Sequence, residues 1–125
     1  MRKQYHFRAS PAGLCAWDVD RLIELTRGFA RQRVPLASIR EIDEAYWSNE
    51  GTVQLTCRDV VEHVRLIQEC DFDHPVILSS DGRVMDGMHR ICKALLLGLA
   101  DVEAVRFAAD PEPDYVGVHP ADLPY

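Results

Sequence analysis

Apolar positions first recur at helical spacing after Asp18. Val19, Leu22, Ile23 and Ala30, joined by Phe29, form a stripe that predicts a helix capped by Asp18 and running to about Arg33, with Pro35 ending it. Val34 to Ile39 reads as a strand. Arg40 to Trp47 is acidic and then aromatic, and Ser48-Asn49-Glu50-Gly51 reads as a loop. Thr56 with Asp59 three residues on comes close to a capping box. It predicts a helix over about residues 58–67 with Val60, Val61, Val64 and Ile67 on the buried face, His63 and Arg65 pointing outward. Pro75 to Leu78 is a short buried strand. The Asp-Gly pair in Ser80-Asp81-Gly82-Arg83 suits a type I′ hairpin turn, with Arg83 to Asp86 as the return strand. A helix from His89 to about Leu97 stops at Gly98, and Val102 to Phe107 is a final strand. Strand, helix and strand in that order predict a right-handed crossover. The mixture predicts an α+β fold, a small mixed sheet with packed helices.

Composition narrows the picture. The chain has 125 residues, enough for one domain with a core. Its organisation divides into an N-terminal extension with a helix (1–33), a core (34–108) and a Pro-rich strap (109–125). Tyr115, Val116, Val118, Leu123 and Tyr125 make the tail apolar enough to favour an ordered strap over disorder, with a homodimer contact as one use for it. The formal charge is −6 and the only lysines are Lys3 and Lys93. Duplex binding draws its affinity from phosphate neutralisation, so DNA is an unfavoured partner. Arg21, Arg27, Arg31 and Arg33 form the best basic cluster, and a solvated helix face is the simpler account of them. No segment approaches a membrane span, and residues 1–8 lack the apolar stretch of a signal peptide, so the expected location is cytoplasmic. Cys15, Cys57, Cys70 and Cys92 show no Cys-x-x-Cys pair, and the histidines no metal-ligand spacing; no metal site is expected.

Chemistry concentrates in residues 84–94. A short strand, a glycine turn and a helix carrying His89 and Arg90 in its first turn would make an anion site. Helix starts leave N–H groups unpaired and carry partial positive charge. Gly87 lets the backbone approach a ligand, Arg90 offers a planar bidentate donor, and His89 a donor or proton carrier. Asp86 either caps the helix or binds Mg²⁺ or a ribose hydroxyl. Tyr46 and Trp47 would stack on a base or serve as core or lid.

Asp86-Gly87-Met88-His89-Arg90, followed by Ala94 and Gly98, resembles the signature of the ParB/sulfiredoxin-like superfamily. Val34-Pro35-Leu36-Ala37-Ser38-Ile39 is similar to the first strand of such domains, so the likeness spans about residues 34–107. It implies that the motif, Asp86, Gly87, Met88, His89 and Arg90, holds the phosphates of a nucleotide (ADP, ATP or CTP), with Mg²⁺ accompanying it. Sulfiredoxin-like enzymes place a nucleophilic Cys where this chain has Met88, and a thioether cannot replace a thiolate. Only 18 residues follow position 107, too few for the helix-turn-helix and dimerisation domains of a partitioning protein. The free serine kinase motif Asp-Gly-His-His-Arg is also similar. That resemblance implies a base after the first strand, for which Glu41, Asp43 and Glu44 are the candidates, acting on a small-molecule acceptor or holding Mg²⁺. A solvated helix start explains the same acids. Three readings follow: a nucleotide-dependent phosphotransferase, a noncatalytic nucleotide-sensing or protein-interaction module, and, disfavoured by charge, a DNA-binding ParB-like nuclease.

Overall fold

The computed structural model describes residues 3–48 and 54–125, so most of the loop expected over Ser48 to Gly51 lies outside the described residues. The fold is mixed α+β. Its elements are β1 (Tyr5–Ser10), β2 (Gly13–Asp18), α1 (Val19–Leu25), β3 (Gln32–Pro35), α2 (Cys57–Glu69), β4 (Val76–Leu78), β5 (Val84–Asp86), α3 (Met88–Leu96), β6 (Asp101–Arg106) and β7 (Tyr115–Val116). Single 3-10 turns occur at Leu36–Ser38, Arg40–Asp43 and Pro120–Asp122.

One sheet unites both ends of the chain in the order β1-β2-β7, antiparallel throughout, with Cys15 opposite Val116. The β1–β2 hairpin escapes a reading based on alternation because β2 buries Cys15, Ala16 and Trp17 consecutively. A strand covered on both faces reads as an apolar run, not as an alternating one. The second sheet has the order β3-β6-β4-β5, with β4 and β6 parallel and the other pairs antiparallel. The expected β4–β5 hairpin is present, but its turn is not type I′: Gly82 alone takes a positive φ, +83°, and the Gly82 N–H donates to the Ser79 carbonyl. From β5 the chain passes through α3 to lay β6 on the far side of β4, Ile77 opposite Val105.

The helix expected over residues 18–33 is shorter. Asp18 does cap it, accepting from Asp20 N–H at 2.9 Å, but α1 stops at Leu25. Thr26 turns its hydroxyl onto the Leu22 carbonyl at 2.9 Å. Val19 and Leu22 are buried, while Ile23, Phe29 and Ala30 are exposed. Residues 32–35 are drawn into the sheet by β6, Val34 opposite Val102, so Pro35 closes a strand. The strand expected over 34–39 therefore shifts toward the N-terminus, and Leu36–Ser38 is a turn. Arg31 and Arg33 are not on a helix, and the basic cluster is neutralised by Arg21–Asp114, Arg27–Glu24, Arg31–Glu103 and Arg33–Asp101 pairs.

Thr56 and Asp59 exchange both bonds of a capping box, so α2 begins where its sequence predicts. Its buried stripe is rotated from the expected one, with Ile67 inward and Arg65 outward as expected. Val60, Val61 and Val64 are exposed, whereas His63, Leu66, Ile67 and Cys70 form the half-buried stripe. Their i, i+3, i+4, i+7 spacing is itself helical, and α2 packs chiefly on α3, a surface able to accept an imidazole.

α3 buries Met88, Ile91 and Ala94 against Leu36, Ile39, Val76 and Val102. On the sheet's other face Ile77, Met85 and Val105 meet Trp17, Leu22 and Phe107. Each fully buried side chain of this size contributes about 1.5–3 kcal/mol. The tail is an ordered strap. Trp17 Nε1 donates to the Pro111 carbonyl at 2.8 Å, Asp114 accepts from the Asp18 N–H at 2.8 Å, and Leu123 is buried. No described helix is long and apolar enough to cross a membrane.

Candidate functional site

The β4–β5 hairpin delivers the motif to one end of the second sheet. Ser79 N–H donates to the Arg83 carbonyl at 2.8 Å to close the turn, and β5 then carries Asp86 to the start of α3. Gly87 is the N-cap at φ +107°, and no side chain caps the helix. A Cβ on Gly87 would lie 3.1 Å from Val76 Cγ2 and 3.3 Å from Val76 Cα. The close approach that requires glycine is thus to β4. Met88 is buried beneath the helix, its thioether part of the core.

Arg90 faces inward. One of its nitrogens donates to the carbonyls of His74 and Pro75, at 2.7 and 2.9 Å, and the other to Asp86 at 3.1 Å. The side chain ties the entrance of β4 to α3. Asp86 correspondingly pairs with Arg90 and does not cap the helix. Burial lifts its carboxyl above the usual carboxylate range, with Arg90 pulling the other way.

His89 faces α2. Its Nε2 lies 2.9 Å from His63 Nδ1, a bond in which one ring donates and the other accepts. Trp47 stacks on both imidazoles, with ring centroids 4.1 Å from His63 and 4.9 Å from His89, and Tyr46 stacks on Trp47 at 5.9 Å. Burial first, then the adjacent His63 and Arg90, hold His89 below the ordinary imidazole range. His63 is the member of this cluster that sequence reasoning sent outward. The signal that identifies it is its place on the 63/66/67/70 stripe of α2.

Two of the three acidic candidates, Glu41 and Glu44, gather around Arg83, not around His89 and Arg90. Glu41 is buried, and its Oε2 accepts the Val84 N–H at 2.6 Å with Arg83 Nε at 3.4 Å. Glu44 binds Arg83 through both oxygens, at 2.9 and 2.5 Å, and that guanidinium keeps its carboxyl below the usual range. Asp43 is exposed. Tyr46 is half-buried. Burial, with the carboxylates of Glu41 and Asp86 adding to it, pushes its phenol up to about 12. Among the described residues no three His, Cys, Asp or Glu side chains come together in a metal-holding group.

The site is an uncapped helix start flanked by a stacked histidine pair, a donor-rich surface of the kind that receives anions. No protein-family model, curated protein or solved structure matches the chain.

Proposed function

We propose that the chain binds a phosphorylated small molecule, a nucleotide such as ADP, ATP or CTP, at the start of α3, as a domain of the ParB/sulfiredoxin-like kind. The observation that carries this reading is the His63–His89 pair, held at 2.9 Å beside the uncapped helix start. The first N–H groups of α3 supply donors, and the imidazoles add a proton that a phosphate would attract. Trp47 fixes both rings by stacking. Arg90 serves the site from behind, by holding Asp86 and β4 in register with α3.

The reading is one of recognition, with phosphotransfer as the less supported extension. Of the three candidate bases, Glu41 and Glu44 are committed to Val84 N–H and Arg83, and Asp43 is exposed on the 3-10 turn. Asp86 is likewise committed to Arg90, so the residues present do not fit a magnesium ion, and none is assigned a role. A phosphate at the pair raises the proton affinity of His89, which burial, His63 and Arg90 lower in the free protein. Binding therefore takes up a proton and tightens as pH falls.

The test is calorimetric titration with ADP, ATP and CTP, each with and without Mg²⁺, at about pH 7.5 and about pH 5.5. Affinity should be higher at the lower pH, and His89→Ala and His63→Ala should each weaken it about tenfold. Absence of binding by every nucleotide, or an affinity indifferent to pH and to both histidines, overturns the proposal. Product formation in the same mixtures would establish phosphotransfer.

A further inference from the structure

The opposite end of the β4–β5 hairpin borders a cavity of about 380 Å³, within the range of small-molecule sites. Its walls include the apolar side chains of Val34, Leu78 and Ala104, with Ser38 at its edge. Two arginines line it. Arg40 donates to the Asp81 carbonyl at 3.2 Å, and Arg106 donates through Nε, at 3.2 Å, and Nη2 to the carbonyl of Ser80. Consecutive carbonyls of one turn therefore gather both guanidiniums at one place. Neither guanidinium exhausts its five N–H donors on these bonds.

Their charge is uncompensated by direct contact among the described residues. Among the described arginines, Arg40, Arg58 and Arg106 make no ion pair with a carboxylate, and two of these three line this cavity. Glu44 feels Arg40 through space but is bound to Arg83. Asp81 also lines the cavity, with its Oδ1 engaged by the Ser79 hydroxyl and, at 3.4 Å, by the Arg83 N–H. In an acidic chain whose other arginines are largely matched to carboxylates, two converging guanidiniums with no ion pair among the described residues, beside a roomy, half-apolar cavity, have the chemistry an oxyanion requires. Guanidinium forks match carboxylate and phosphate geometry, and the apolar wall accommodates an organic body.

We propose that this cavity is a second binding site, separate from the start of α3, for a small organic anion gripped by Arg40 and Arg106 through its carboxylate or phosphate. The hairpin length separates the two sites, since residues 80–82 lie at one end and Asp86-Gly87 at the other. The intact ¹⁵N-labelled chain is titrated with inorganic phosphate and, separately, with succinate, and amide shifts are followed by NMR. Saturable shifts are expected at residues 79–83 and 104–106, with a dissociation constant of about 1 mM or tighter for at least one probe. A response to phosphate alone, or to succinate alone, identifies the preferred oxyanion. Arg40→Gln and Arg106→Gln, both at exposed positions, should each weaken binding about tenfold. No saturable shift with either probe, shifts confined to residues 87–90, or affinities unchanged in both variants overturn the proposal.

Discussion

Replacing Gly87 with alanine strains the hairpin-to-helix junction in two separable ways. The residue sits at φ +107°, where a side chain costs about 1–2 kcal/mol. The added methyl would also stand 3.1 Å from Val76 Cγ2 and 3.3 Å from Val76 Cα. Val76 has little room to yield, because it is buried and its strand is paired with β6 opposite Ala104. Overpacking of this kind adds about 1–3 kcal/mol. The total, about 2–5 kcal/mol, is a large share of the roughly 5–15 kcal/mol that holds a domain folded. Two other glycines calibrate the terms. Gly98 has φ +74°, and a methyl added there would meet nothing within 4 Å, so Gly98→Ala carries the backbone cost alone. Gly28 has neither a positive φ nor a neighbour within 4 Å, so Gly28→Ala should be near neutral. Urea denaturation of the three variants should rank Gly87→Ala as most destabilised, then Gly98→Ala, then Gly28→Ala, with similar m-values. Should Gly87→Ala cost no more than Gly98→Ala, contact with Val76 is not what requires glycine there, and ligand access becomes its reason.

His6 is largely buried with an unpartnered Nε2; burial first, then Arg8, lowers its pKa from 6.5 to about 4. The folded state refuses a proton that the unfolded chain accepts, so this contribution is intact above about pH 6.5 and is lost as pH falls toward about 4, costing about 3 kcal/mol. Urea midpoints at both ends of that window should converge in His6→Phe relative to the parent, and an identical pH slope in both proteins refutes the assignment. Glu41→Ala strands the buried Val84 N–H and should cost about 1–3 kcal/mol, whereas Glu41→Gln keeps an acceptor and should melt close to the parent. Equal destabilisation by the two would show that the negative charge, not the hydrogen bond, is what matters. Thr56→Ala should remove about 1 kcal/mol by breaking the capping box, and an unchanged thermal melt would refute that role.

Local signals carried much of the fold. Asp18, Thr56 with Asp59, and Gly98 each mark an element boundary through bonds or dihedrals a few residues wide, and all three act as their chemistry predicts; the Asp81-Gly82 pair marks the hairpin but not its turn type, since only Gly82 takes a positive φ. What failed depends on distant partners. Residues 32–35 carry no strand alternation of their own and become a strand because β6 offers its edge. Val60, Val61 and Val64 mark an apolar stripe, but α2 lies on the body along another, and nothing local says which neighbour it will meet. The candidate site divides in the same way. The motif's backbone, Gly87 followed by a helix, was legible, and His89 is where the motif puts it. The inward turn of Arg90 was not, because its acceptors are the carbonyls of His74 and Pro75. Nor was the partnership of His63 with Trp47, which joins two segments 16 residues apart in sequence.

The pairing of Cys15 with Val116 gives this protein a schedule as well as a shape. During synthesis the β1–β2 hairpin emerges about 100 residues before the strand that completes its sheet. At about 5–20 residues per second, that leaves the β7-facing edge of β2 open for roughly 5–20 s. The closing contact is also among the most remote in the chain, so the entropy of bringing its ends together is met late, after the β4–β5 hairpin and α2 have had time to form locally. Until then the edge beside Cys15 and Ala16 presents unpaired backbone groups to any neighbouring chain. The strap that secures the finished fold is therefore also the step on which escape from aggregation depends.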